Sequence, residues 1–483
     1  MKRRDFLGGV LAGLPLAAYG EVRPPARAGR PVPVLSADAI INQHGIGNKT
    51  GFVVLDLATG RVLEQHNPTL DQPPASVAKA ITSLYADAHL PANFRFETSI
   101  IGTGPINNGR LEGNLFLVGG GDPHLDTDAL AELAQQVVSA GIRSISGRFY
   151  YVDTALPKID FIDAEQPDQV GYNPSISGLN LNFNRVYFEW EKAGGSYNIT
   201  MEARATRYRP AVNTSEMQIV NRNGPIYDYR RGNDIDHWTV ARSALGNSGS
   251  RWLPVRDPGA YTASVFRTLS AAFGVTLPAP QQRATVASGN VIGRQFSRDL
   301  RGIQRSMLYF STNLTAEVLG MQASLAAGNQ VAGLRNSARH MSRWASGLVR
   351  QSNPDFFNHS GLTDRSKISA GEMAALLAQR NSQQGLAELM KKVQLLGPNG
   401  DAVTVPNVEV FAKTGTLNFT RGLAGYIESQ GRQKLAFAIF SADLAARRAA
   451  GVSEERPRGA RSWSRNAKAQ EKALLLRWAT QFL

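Results

Sequence analysis

The chain changes texture twice, and that change bounds the fold more tightly than any single residue. Near the amino end, Phe52, Val53, Val54, Leu55 and Leu57 predict an apolar strand, Ala58-Thr59-Gly60 a turn and residues 61–65 the return of a hairpin. Pro73 and Pro74 then introduce a helix, in which Val77, Ile81, Leu84, Tyr85 and Ala88 recur at helical spacing. From about residue 93 to 257 the pattern becomes short strands and turns, with strands expected over 115–118, 149–152, 186–190 and 197–201 and one helix over 130–140. Amphipathic helices resume over 261–273, 314–327 and 373–379; two strands, 422–428 and 435–440, and a helix over 467–482 close the chain. A single core stops growing near roughly 250–300 residues, so 483 residues require two or three domains. The pattern predicts an α/β (α+β) fold interrupted by a mostly β insertion.

Lys2, Arg3 and Arg4 precede Asp5-Phe6-Leu7 and a short apolar run over 8–18. This resembles a twin-arginine export signal, with cleavage sites after Gly20 or Ala28, and implies a periplasmic protein. Residues 1–28 are read as the signal and the start of a Pro-, Arg- and Gly-rich linker over 21–33, with folding from about Val34. The apolar run is too short to span a bilayer and no longer one follows, so no stable membrane insertion is expected after signal removal. The absence of cysteine excludes disulfides, thiolate nucleophiles and Cys-ligated zinc. A formal charge of +14 favours polyanionic surroundings. The basic residues are scattered, without zinc-finger spacing or a basic helix to organise phosphate contacts, so nucleic acid is not an expected partner.

Three short strings carry chemistry. Ser76-Val-Ala-Lys79 opens the helix after the two prolines, and residues three apart share a face, so the Lys79 amine can reach the Ser76 hydroxyl. A serine is a weak nucleophile until a base takes its proton, and a desolvated lysine can be that base. Its pKa must first be lowered by burial or a nearby positive charge. Lys413, in Lys413-Thr414-Gly415-Thr416, supplies the charge; Gly415 leaves room for a substrate backbone, and the Thr414 and Thr416 hydroxyls can bind a terminal carboxylate. Ser311-Thr312-Asn313 lies between, offering a proton relay in Ser311 and an amide for a substrate carbonyl in Asn313. Similar letters occur at Lys49-Thr50-Gly51, Ser288-Gly289-Asn290 and Ser464-Arg465-Asn466. The first precedes the nucleophile, the second reads as a turn and the third follows K-T-G, so they are assigned to structure.

The ordered triple S-x-x-K, S-x-N, K-T-G resembles the penicillin-recognising serine enzymes. The wide interval between Ser76 and Ser311 is similar to the D-Ala-D-Ala carboxypeptidase/endopeptidase family, peptidase family S13, often called penicillin-binding protein 4, which carries extra domains there. Gly119-Gly120-Gly121-Asp122-Pro123, Asp257-Pro258 with Tyr261, Ser360-Gly361-Leu362, Lys413 to Asn418 and Leu423-Ala424-Gly425-Tyr426 carry the resemblance along the chain. Asn358-His359 departs from the Asp-Gly pair expected before Ser360.

The resemblance implies a penicillin-binding protein/β-lactamase-like transpeptidase fold, with an antiparallel five-stranded sheet flanked by helices. It divides the chain into a discontinuous catalytic domain, 34–92 and 258–483, and inserted domains over 93–257. It further implies hydrolysis of peptidoglycan stem peptides and crosslinks through an acyl-enzyme on Ser76, acylation by β-lactam antibiotics, an oxyanion hole from the N–H groups of Ser76 and Thr416, and no metal or organic cofactor. In the family an aspartate of the inserted domain contributes to a diaminopimelate pocket; Asp153 is the candidate, against an exposed strand-end carboxylate as the structural reading. A serine β-lactamase would share Ser76 and Lys79 but need a water-activating group not located here. A non-hydrolytic wall sensor would acylate without releasing product.

Overall fold

The computed structural model describes residues 35–232, 235–379, 385–430, 433–451 and 455–483. The expected export signal and linker lie outside the described residues. No helix among those described is long and apolar enough to cross a membrane.

The predicted hairpin forms: Thr50–Asp56 pairs antiparallel with Val62–His66, and Asp56 accepts the Thr59 amide at 2.8 Å to close the turn. Thr50–Asp56 is buried along its whole length because its other edge pairs with Lys434–Ala442. The first and last strands among the described residues thus lie side by side. Val408–Leu417 and Thr420–Ser429 continue the antiparallel sheet, and the two-residue strand Lys391–Lys392 caps its edge. The five long strands are the expected sheet; the sixth, too short for periodicity, left no mark in the sequence.

Helices cover both faces. On one, Leu474, Leu475 and Trp478 of the carboxyl-terminal helix Ala460–Gln481 share a core with Phe52, Ile439 and Phe437. On the other lie Ala78–His89, Leu300–Phe310, Asn313–Ala326 and Leu334–Leu348, with Ile81, Met307, Leu319 and Met341 in a common core. The fold is therefore of the mixed α/β kind expected, an antiparallel sheet flanked by helices.

The insertion is built on a five-stranded sheet ordered Gln281–Gln282, Phe149–Val152, Leu115–Gly119, Glu97–Gly102, Asn290–Phe296, with three three-stranded sheets beside it among the described residues. Its core includes Tyr261, Phe266 and Leu269 of the helix Pro258–Ala272. The packing therefore favours a return to the catalytic unit near Ser297 rather than at Pro258. Outgoing Glu97 pairs with returning Phe296, and Phe96 and Ser297 exchange hydrogen bonds of 2.9 Å at the crossing. Asp257 caps the helix at Pro258, which marks where an element begins but not which sheet it covers. Asn290, read as part of a turn, begins the strand that closes this sheet.

Candidate active site

The helix start is set by backbone geometry. Pro74 is followed by Ala75 in the left-handed region (φ 47°), and one 3₁₀ turn, Ala75–Val77, leads into Ala78–His89. Such a conformation is strained for a residue with a Cβ and persists only where the surroundings fix it. They do: a Cβ on Gly361, itself at φ 74°, would fall 1.8 Å from the Ala75 carbonyl oxygen, and one on Gly415 would fall 2.6 Å from that of Pro74. The K-T-G strand and the S-G-L segment thus clamp the turn that carries Ser76.

Lys79 is fully buried, its Nζ 3.0 Å from Ser76 Oγ, 2.7 Å from Asn313 Oδ1 and 2.8 Å from the Ser360 carbonyl oxygen. All three partners are neutral oxygens. A neutral amine has two hydrogens and one lone pair; with the hydrogens given to Asn313 and Ser360, the lone pair faces the Ser76 hydroxyl. Burial holds the Lys79 pKa well below its usual value, the Lys413 charge lowers it further and Glu317 partly opposes both.

The Leu300–Phe310 helix ends on Ser311 in the left-handed conformation, and Asn313 opens the next helix, so the chain turns sharply between the two functional side chains. Lys413 Nζ donates to Ser311 Oγ at 2.9 Å and to the Thr414 carbonyl at 2.7 Å. Burial, with a smaller effect of Lys391, lowers the Lys413 pKa to about 7. Ser76, Lys79, Ser311, Asn313 and Lys413 therefore converge from three separate stretches of chain.

Sequence reasoning missed Glu317. It is one turn beyond Asn313 and fully buried; Oε1 accepts the Ser360 amide at 2.8 Å and Oε2 the His359 amide at 2.9 Å, which fixes the carbonyl that Lys79 contacts. Burial raises the Glu317 pKa, while these hydrogen bonds and Lys79 pull it down. A glutamate among buried positions, four residues from a functional asparagine, was the available signal. The departure at His359 is accommodated by packing: its ring lies where a Cβ on Gly320 would stand, 2.2 Å away, and Nε2 pairs with Ser337 Oγ at 2.8 Å.

These groups open onto a cavity of about 360 Å³, with Ser76, Ser311, Asn313 and Thr416 on its catalytic wall. Glu165, Gln166 and Tyr172 form a wall from the insertion, and the Asn313 amide donates to the Tyr172 carbonyl at 2.8 Å. Arg447 and Arg456 also line it. Thr416 Oγ1 accepts from Arg421, whose guanidinium is held by the buried Glu471 at 2.7 Å. Thr414 is exposed and not on the lining, and Gly415 serves the clamp.

Asp153 is not brought to this cavity. It is neither an exposed strand-end group nor a wall residue: it is buried, accepts from Gln282 at 2.8 Å and lies against Gly259, because the strand carrying it faces the helix Pro258–Ala272. The repeated letters fall elsewhere: Lys49 pairs with Asp443, Asn290 starts a strand and Ser464 lies within the last helix.

Residues 35–457 match the family model described as the D-Ala-D-Ala carboxypeptidase 3 (S13) family. A D-alanyl-D-alanine carboxypeptidase of Actinomadura sp. strain R39 is 25% identical over 444 residues, covering 84% of this chain and 80% of the relative. The D-alanyl-D-alanine carboxypeptidase DacB of Haemophilus influenzae is 22% identical over 419 residues, covering 82% and 85%. The crystal structure of penicillin binding protein 4 from Haemophilus influenzae superposes with a TM-score of 0.72 at 19% identity over 92% of this chain and 99% of that one.

Proposed function

Because the chain belongs to the D-Ala-D-Ala carboxypeptidase S13 family and is a serine-type D-Ala-D-Ala carboxypeptidase, we propose that Ser76 is its nucleophile and that it cleaves peptidoglycan stem peptides, and crosslinks between them, through an acyl-enzyme. The observation that carries the reading is the 3.0 Å contact of a fully buried, charge-suppressed Lys79 amine with Ser76 Oγ.

In the first step Ser76 Oγ bonds to the carbonyl carbon of the penultimate D-Ala while its proton passes to Lys79. The Ser76 and Thr416 amides, at the helix start and on the strand clamped against it, receive the oxyanion. Collapse breaks the C–N bond, and the proton taken by Lys79 passes on through Ser311, which Lys413 contacts on its far side, to the leaving amine, so that Lys79 is uncharged again. Lys413 and Thr416 form the end that binds the terminal carboxylate, and Asn313 orients the peptide; Thr414, off the lining, takes no part. Water, deprotonated by Lys79, then attacks the ester, releasing the shortened peptide and returning the proton to Ser76. A β-lactam follows the first step alone: its amide opens onto Ser76, and the leaving amine stays tethered. The Haemophilus influenzae relative has been solved complexed with a β-lactam, which supports this part of the reading. On the insertion side, exposed Glu165 replaces Asp153 as the carboxylate for a diaminopimelate amino group.

The site of action is the periplasm, reached by the twin-arginine route through Arg3-Arg4; replacing both by lysine should leave the precursor in the cytoplasm, and normal periplasmic amounts would refute the route.

Intact-mass measurement with benzylpenicillin tests the nucleophile. Wild type should gain one adduct, mapped to the peptide containing Ser76, and Ser76→Ala should gain none. An adduct on Ser76→Ala would sink the assignment.

A further inference from the structure

A second cavity, of about 850 Å³, lies between the insertion and the catalytic unit. Arg185 projects into its wall with the guanidinium 5.1 Å from the Phe183 ring centroid and 5.4 Å from that of Trp252. No hydrogen bond or ion pair engages this side chain among the described residues, its Nε is buried without a partner, and burial lowers its pKa. A guanidinium cannot discharge by losing its proton, so a desolvated, unpaired one costs free energy unless an anion joins it.

The backbone holds it there. Asn182, Phe183 and Asn184 are three successive left-handed residues (φ 51°, 58°, 54°), a strained run secured by Asn184 Nδ2 donating to Asn180 Oδ1 at 2.7 Å and Asn182 Nδ2 to Thr127 Oγ1 at 2.8 Å. The turn aims both Phe183 and Arg185 at the cavity. Phe296 and Phe310 stand exposed at the rim. The other wall charges are engaged or at the edge: Arg204 is paired with Glu189 and Glu202, Asp126 caps a helix, Asp122 accepts the His124 amide, and Arg298 is exposed.

Only a thin partition separates this cavity from the catalytic one. Thr312 lines it, whereas its neighbours Ser311 and Asn313 line the other. Gly171 approaches Arg185 and Trp252, and the next residue, Tyr172, accepts from Asn313. We propose that the cavity is a second substrate site, in which Arg185 binds a carboxylate carried by the wall peptide away from its scissile end while the aromatic rings take the adjoining apolar face. The fork geometry suits a carboxylate bidentately. This rests on the proposed peptidase reading and extends it from the last residues of the substrate to the length of the peptide.

The test compares kcat/KM on a blocked dipeptide ester ending in D-Ala-D-Ala with that on a disaccharide pentapeptide. Arg185→Met, which keeps the stacked volume, should lower the pentapeptide value about ten- to a hundredfold, chiefly in KM, since a charge-assisted pair is lost. The short ester, which does not reach the cavity, should stay within about twofold. Phe310→Ala, at an exposed position, should show the same selectivity at about threefold. Calorimetric titration with the unreactive tripeptide L-Ala-γ-D-Glu-diaminopimelate should give heat with wild type blocked at Ser76 by benzylpenicillin and none with Arg185→Met. Equal losses on both substrates, no loss on either, or tripeptide heat that survives Arg185→Met would overturn the proposal. Failure of Ser76 to label with benzylpenicillin would refute the peptidase reading instead, and the titration would then be run on unblocked protein.

Discussion

The catalytic unit and the insertion each bury a cation almost completely, and the two regions treat it in opposite ways. Arg256 of the insertion is 2% exposed, and its guanidinium donates to the carbonyls of Asp160, Asn173 and Asp168 at 3.2, 3.0 and 2.9 Å and lies 4.3 Å from the Phe161 ring. Lys79 is as deeply buried but meets two neutral acceptors and a hydroxyl. Burial lowers the pKa of both. The guanidinium keeps its proton and becomes a structural tie for residues 160–173, the segment that supplies Glu165 and Tyr172 to the cavity wall. The amine can yield its proton, as the base proposed for Ser76 must. The choice between arginine and lysine at a buried position thus separates holding a site together from doing chemistry in it.

Removing the base should have the largest effect. Lys79→Ala should acylate with benzylpenicillin about 10²- to 10⁴-fold more slowly at unchanged fold, measured by the rate of adduct formation. Exchanging the roles sharpens the contrast: Arg256→Met leaves three carbonyls without their donor and should cost about 3 kcal/mol or more of stability, seen in chemical denaturation, while residual folded protein still labels at Ser76. If Arg256→Met instead abolished labelling at full stability, the division between the regions would fail.

What the sequence made legible follows the same line. Ser76, Lys79, Ser311, Asn313 and Lys413 were readable because chemistry fixes their order and spacing within short strings. Glu317 was not, because it acts through backbone amides of His359 and Ser360, forty residues away in sequence, and no local string announces a contact of that kind. The hairpin at Thr50–Asp56 and the closing strands were visible through apolar runs between turns. The edge strand Lys391–Lys392 has no periodicity to detect, whereas the helix Leu300–Phe310, absent from the expected elements, does carry helical spacing at Leu300, Ile303, Met307 and Leu308. The packing of the helix Pro258–Ala272 against the sheet of the insertion was not legible, because an amphipathic helix shows its apolar face in sequence but not which sheet that face covers. That Asp153 is buried away from the cavity was hidden for a related reason: a carboxylate at a strand end can turn to either side.

Smaller effects separate the two charges around Lys79. Lys413→Ala should slow acylation about ten- to a hundredfold. Losing the positive neighbour raises the Lys79 pKa, so more base is protonated at a given pH, and the acid limb of kcat/KM should move upward. In wild type the alkaline limb should fall near pH 7, where Lys413 loses its proton, and should vanish in the variant. Glu317→Gln should act in the opposite sense on the acid limb, moving it downward, because the negative neighbour that raises the Lys79 pKa is gone. Its cost, about 1–2 kcal/mol from an amide facing a backbone N–H, should appear in the denaturation midpoint. Shifts of the same sign in both variants would mean that neither charge is sensed by Lys79.

The central claim is that Lys79 is an uncharged base because of where the fold buries it. The pH dependence of benzylpenicillin acylation at Ser76, followed by intact mass up to pH 10.5, the ordinary value for a lysine, reads this directly. The account predicts a rate that stops rising well below that pH and does not climb through it. A rate that kept climbing about tenfold per unit toward pH 10.5 would show an ordinary ammonium at Lys79 and contradict it.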